Sequence, residues 1–151
     1  MLIRELSFIF ERIIGKEYIK TFKVHRVVRK LGRYIKIGIV PSDNTSKNIF
    51  KYAMGENNKH LEILRRNFGQ EVINIISFKD SIGNWDENQI IQALGVATLK
   101  DSRIIIEDSR KRIVRIKSCT SDEIGLLYGR KKANHYLCEN LFRCKIVLEE
   151  A

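Results

Sequence analysis

The chain has 151 residues, with 28 Lys and Arg against 18 Asp and Glu, a net charge of +10 and 44% apolar side chains. That length holds one ordinary domain or two small ones, and the spread of apolar residues excludes disorder. No 18 consecutive residues are apolar, so no membrane-spanning helix is expected, and the opening Met1-Leu-Ile-Arg-Glu-Leu-Ser reads as neither signal nor transit peptide.

Residues 2 to 14 predict a helix, because Leu2, Leu6, Ile9, Phe10, Ile13 and Ile14 recur on one helical face and Gly15 is a stop. Residues 18 to 29 and 33 to 40 are rich in β-branched and aromatic side chains and predict two strands joined through Lys30-Leu31-Gly32. Pro41, the single proline, ends the second. A turn cluster leads into a short helix from about Ser46 to Met54, broken at Gly55. A further helix spans about Lys59 to Asn67, and a strand spans Glu71 to Phe78.

After a polar connector, Lys79 to Gly83, the plan repeats. Asn84 with Glu87 three residues on has the spacing of a capped helix start, and that helix reaches about Leu94. Strands at 102–108 and 112–119 flank the turn Asp108-Ser109-Arg110. A helix from Ser121 breaks at Gly129, a second runs from Lys132 to Phe142, and a strand, Cys144 to Glu149, follows. At an offset of 74 the halves match in element order and apolar register: Gly55 on Gly129, Phe68 on Phe142, Val72 on Ile146, Ile73 on Val147, Ile39 on Ile113 and Val40 on Val114. Agreement of both kinds predicts an internal duplication. Trp85, at a helix start, is expected to pack between the units.

Enzyme chemistry finds no foothold. The phosphate-loop, dinucleotide, zinc-protease and nucleophile-elbow motifs are absent, and the adjacent acids Asp86-Glu87 and Asp122-Glu123 open helices, where they favour the macrodipole. No catalytic residue, cofactor or metal is expected. Cys119, Cys138 and Cys144 form no C-x-x-C pair and sit in apolar surroundings, which fits structural thiols in a reducing, cytoplasmic compartment.

The repeated glycine break carries the chemical signal. A helix that starts just after a tight turn presents unpaired N–H groups and the positive end of its dipole, which suits a phosphate. Small residues in the turn let a nucleic-acid backbone approach. A KH module uses a G-x-x-G loop in this way to clamp a single strand. The second break, Gly129-Arg130-Lys131-Lys132, has three cations; the first, Gly55-Glu56-Asn57-Asn58, has an acid, with Lys59 and His60 following.

Around these breaks the chain resembles a family. FIFERIIG (Phe8 to Gly15), the segments Tyr52 to Phe78 and Leu126 to Leu148, and QALGVA (Gln92 to Ala97) are similar to stretches of archaeal-type NusA-like proteins. The resemblance implies an α+β chain of two tandem type II KH-like domains, at residues 1–80 and 84–151, each a three-stranded mixed sheet with helices packed on one face. It implies an RNA-binding factor of transcription elongation or termination that holds single-stranded RNA across both modules, with RNA polymerase as partner. The alternatives are a tandem KH protein of the ribosomal particle and a protein-binding scaffold with degenerate loops. The RNA-binding residues carried over are Gly55, Glu56, Asn57, Asn58, Lys59, Gly129, Arg130, Lys131 and Lys132. Asn58 and Lys132 stand where the family's loop ends in Gly. Asn tolerates the left-handed conformation; Lys fits it less readily, so the second turn is expected to be reshaped.

Charge adds a second signal. Lys20, Lys23, Arg26, Arg29, Lys30, Arg33 and Lys36 occur with no acid among them, as do Arg110, Lys111, Arg112, Arg115 and Lys117. In these equivalent hairpins a phosphate-tracking stripe is expected, with solvated edge strands protected by Lys as the competing account. Phe50, Tyr52, Tyr128 and Tyr136 lie near the loops, where core packing competes with base stacking.

Overall fold

The computed structural model describes residues 2–43, 48–95, 103–107, 110 and 113–150. Contacts divide the chain into two units, Met1–Asn84 and Trp85–Ala151. Both are α+β and KH-like, each with a three-stranded mixed sheet.

The first unit runs α1 (Leu2–Ile14), β1 (Phe22–Lys30), β2 (Tyr34–Pro41), α2 (Ile49–Met54), α3 (Lys59–Phe68) and β3 (Val72–Ser77). β2 is central, antiparallel to β1 and parallel to β3. Its inward residues Ile35, Ile37 and Ile39 are fully buried against Leu6 and Phe10 of α1 and Leu64 of α3. Each such side chain contributes about 1.5–3 kcal/mol by leaving water. Residues 18 to 20 are not strand, contrary to expectation. Lys16–Lys20 is a 3-10 turn. It points Tyr18 inward, where its hydroxyl donates to the Ser7 carbonyl at 3.1 Å and its ring packs 5.2 Å from Phe22. Burial of one aromatic outweighs local strand propensity.

The β1–β2 ladder slips between Val24 and Arg26. At the slip, a Cβ on Gly38 would lie 2.4 Å from the Phe78 ring, so only glycine fits. The connector is a built turn: Asp80 accepts from the backbone N–H groups of Ile82 and Asn84 and from the Asn84 side chain.

The second unit runs α4 (Glu87–Leu94), β4 (Ile104–Ile106), β5 (Ile113–Cys119), α5 (Ser121–Tyr128), α6 (Ala133–Phe142) and β6 (Lys145–Glu150). β5 is central, antiparallel to β4 and parallel to β6. The cap of α4 is Asp86, not Asn84. Asp86 accepts from the Asn88 N–H and Gln89 returns a bond to the Asp86 N–H, a complete capping box. The Trp85 ring lies 4.9 Å from the Phe142 ring. Buried Asn134 donates to the carbonyls of Leu94 and Leu127, tying down the ends of α4 and α5. The expected helix start at Ser46, the turn residues Asp108 and Ser109, and residues 102, 108 and 112 of the expected strands lie outside the described residues, while Arg103 and Glu107 flank β4 without joining it.

The offset of 74 holds for the loops and for α3 and α6 but not for the strands. Gly69-Gln70-Glu71 joins α3 to β3, whereas only Arg143-Cys144 joins α6 to β6. Buried Ile73 therefore matches buried Ile146, and exposed Val72 matches exposed Lys145. In a strand a one-residue slip exchanges the two faces, which is why Val72 on Ile146 is the wrong pairing. The central strands shift further. Residues 42–48 separate β2 from α2, while Thr120 alone separates β5 from α5. By sheet register Ile35 matches Val114 and Ile37 matches Ile116, all four fully buried; Ile39 does not match Ile113.

Candidate nucleic-acid interface

Both glycine breaks fold into the same backbone. Gly55 has φ 80 and ψ 165; Asn57 and Asn58 follow in the left-handed region at φ 54 and 60. Gly129 has φ 70 and ψ −175; Lys131 and Lys132 follow at φ 53 and 63. The second turn is thus not reshaped. Lys132 takes the left-handed conformation despite its Cβ, at a cost of about 1–2 kcal/mol for a residue of this type. A short 3-10 turn enters each long helix, and neither α3 nor α6 has a side-chain cap; the first N–H of each, at Lys59 and Ala133, bonds the carbonyl of Glu56 and of Arg130 instead, and the positive end of each helix dipole lies at the loop. Glu56, Asn57, Asn58 and Lys59 are exposed, as are Arg130, Lys131 and Lys132; both glycines are half-buried. Each set of site residues predicted from sequence therefore converges on one surface loop of its unit.

Gly55 is required twice over. Its φ lies in the region that favours glycine, and a Cβ there would lie 2.7 Å from Cγ of His60. The His60 ring is held by a bond between Nδ1 and the Tyr52 carbonyl at 3.1 Å, so Nδ1 carries the proton. Beside this loop lies a groove of about 440 Å³ lined by Asn48, Lys51, Tyr52, Gly55, Glu56 and His60. Asn48 and Lys51 were not evident as site residues in the sequence. Lys51 lies one helical turn before Gly55, and that i, i+4 spacing is the signal that would have found it.

The second loop is organised by its own aromatic. The Lys132 ammonium sits 5.4 Å from the Tyr128 ring centroid, and Tyr128 packs edge-on against His135 at 5.1 Å. His135 Nε2 lies 2.6 Å from the Ile146 carbonyl, which ties the loop's support to β6. Of the other aromatics, Phe50 packs on the core, Tyr52 is 38% exposed and Tyr136 is 61% exposed.

The basic hairpins are less free than their composition implies. Arg29 grips Glu71 with two bonds of 2.8 and 2.6 Å and lies over the Phe68 ring at 5.3 Å. Lys36 is fully buried and donates to Asn74 at 2.7 Å. Arg115 bridges Glu107 and Glu149. Three of the expected phosphate contacts are thus consumed by the fold. Lys23, Lys30 and Lys117 stay exposed, and Lys111 and Arg112 lie outside the described residues. The thiols are buried or half-buried; burial pushes the Cys144 thiol up to about 12, far from a reactive thiolate.

No helix among the described residues is long and apolar enough to cross a membrane. No family model and no curated protein matches the chain. Among solved structures, the crystal structure of APE1850 is similar over 96% of each chain, at 17% identity and a TM-score of 0.55. At that identity the likeness is one of fold.

Proposed function

We propose that this chain is a single-stranded RNA-binding protein of the NusA-like kind, acting in the cytoplasm with RNA polymerase during transcription elongation or termination. The observation that carries the reading is the shared loop backbone. In both units a glycine, then two left-handed residues, lead into an uncapped helix. An extended phosphodiester fits there because the loop atoms are small or exposed and each helix turns the positive end of its dipole toward it. The second loop supplies the closest phosphate contacts, through Arg130, Lys131 and Lys132. In the first, Glu56 opposes a phosphate, and the unit contributes attraction from Lys51, Lys59 and the exposed lysines of β1.

The test is a titration of labelled single-stranded and duplex RNA across a salt series. Affinity should fall with a log–log slope of about −0.7 for each phosphate contacted, and single strands should bind more tightly than duplex. A duplex preference, or binding indifferent to salt, defeats the proposal. Absence of RNA binding would leave the protein-binding scaffold as the reading. Co-purification with ribosomal particles in place of polymerase would move the same RNA-binding activity to the ribosome.

A further inference from the structure

We infer that the groove of the first unit is a guanine site and that the Glu56 carboxylate reads the base; this rests on the RNA-binding reading above. The recess, about 440 Å³ and open to solvent, falls in the size range of small-ligand sites, large enough for one nucleotide. Tyr52 offers a part-exposed ring there, set by its edge contact with Phe22 at 6.0 Å. Gly55 has no side chain to obstruct the approach, and Lys51 stands at the rim for a flanking phosphate.

Within this lining Glu56 is the odd member. A carboxylate beside a phosphate path is repulsive, yet among the described residues the Glu56 side chain has no hydrogen bond or ion pair that would account for it. An ionised carboxylate is acceptor-only, with two oxygens in a fork. Among the four bases, guanine alone sets two donors, N1–H and the 2-amino group, side by side on one edge. Adenine and cytosine place one amino group next to a ring acceptor, and uracil flanks its single N–H with two carbonyls. A guanine edge thus converts the charge that repels phosphate into two charge-assisted hydrogen bonds. Arg130 holds the equivalent place in the second unit and has no acceptor, so this reading is confined to the first.

The experiment titrates the full chain with short uridine oligonucleotides carrying guanosine, inosine, adenosine or cytidine at one central position, at fixed salt. The guanosine oligonucleotide should bind about tenfold more tightly than uridine alone. Inosine, which lacks the 2-amino group, should fall between, with adenosine and cytidine close to uridine. Glu56→Gln should flatten the series, because its amide offers one donor and one acceptor. Glu56→Lys should tighten uridine binding while abolishing the preference, with circular dichroism confirming the fold of both variants. Equal binding of all oligonucleotides by the native protein, a preference for adenosine or cytidine, inosine binding as tightly as guanosine, or a guanosine preference that survives Glu56→Gln would overturn the assignment. Failure to bind any of them would instead overturn the RNA-binding reading itself.

Discussion

Asn57-Asn58 and Lys131-Lys132 occupy the same two backbone states with unlike chemistry. Asparagine enters the left-handed region at small cost, because its short polar side chain bonds locally; lysine has no such compensation. The first loop is therefore conformationally relaxed and electrostatically unfavourable to phosphate. The second is conformationally strained and electrostatically favourable. The position just before the last strand shows a second contrast. It holds Glu71 in the first unit and Cys144 in the second. The Arg29 guanidinium bonded to Glu71 holds its carboxyl below the ordinary range, while burial pushes the Cys144 thiol up.

The largest effect should come from breaking that second contrast. Glu71→Ala leaves Arg29 without its carboxylate. It should cost about 2–3 kcal/mol in a urea titration, less than a fully buried pair because Arg29 keeps some exposure. The pH windows of the two positions have opposite signs. Glu71 has a depressed folded value, so its contribution is complete above the ordinary 4.5 and is lost as pH falls through the folded value. Cys144 has a raised value, so its contribution is complete below the ordinary 9.0 and is lost as pH rises toward about 12. Circular dichroism should show Glu71→Ala blunting the acid limb and Cys144→Ala blunting the alkaline limb. Exchange of those two outcomes would contradict the assignment.

Next in size is the loop charge. Changing Arg130, Lys131 and Lys132 together to Ala should weaken single-stranded RNA binding by about 1–3 kcal/mol, if each makes a modest charged hydrogen bond. Unchanged affinity would remove the second loop from the binding surface. The smallest effect isolates backbone strain. Lys132→Gly should stabilise the protein by about 1 kcal/mol by relieving the left-handed conformation. Asn58→Gly at the equivalent position should shift the urea midpoint far less. Equal shifts would mean that asparagine and lysine are equally strained there.

Much of this architecture is legible in the residue pattern. Helical periodicity locates α1, α3 and α6 to within a residue or two, and the glycine breaks locate both loops. What escapes the pattern has physical causes. A strand's period of two gives no warning when a connector loses one residue, so β6 is misaligned while α6 beside it is not. The long-range partner of Arg29 lies 42 residues away, and composition cannot separate a bonded guanidinium from a free one. The second loop's geometry is set by the glycine before it and the helix after it. Intrinsic preference at Lys132 alone therefore misjudges it. Asn48 and Lys51 enter the groove only once α2 is packed, a tertiary fact.

Glu123 has a consequence for how the second unit opens. Its carboxylate accepts the Thr120 N–H at 3.0 Å and also takes the Arg103 guanidinium at 2.6 and 2.7 Å, while its own N–H bonds the Thr120 hydroxyl. The first turn of α5 and the residue leading into β4 thus share one side chain. Fraying of that helix end and detachment of the edge strand are not independent fluctuations. They draw on a single opening equilibrium, so the amides on both sides of Glu123 form one cooperative unit although 20 residues separate Arg103 from Glu123.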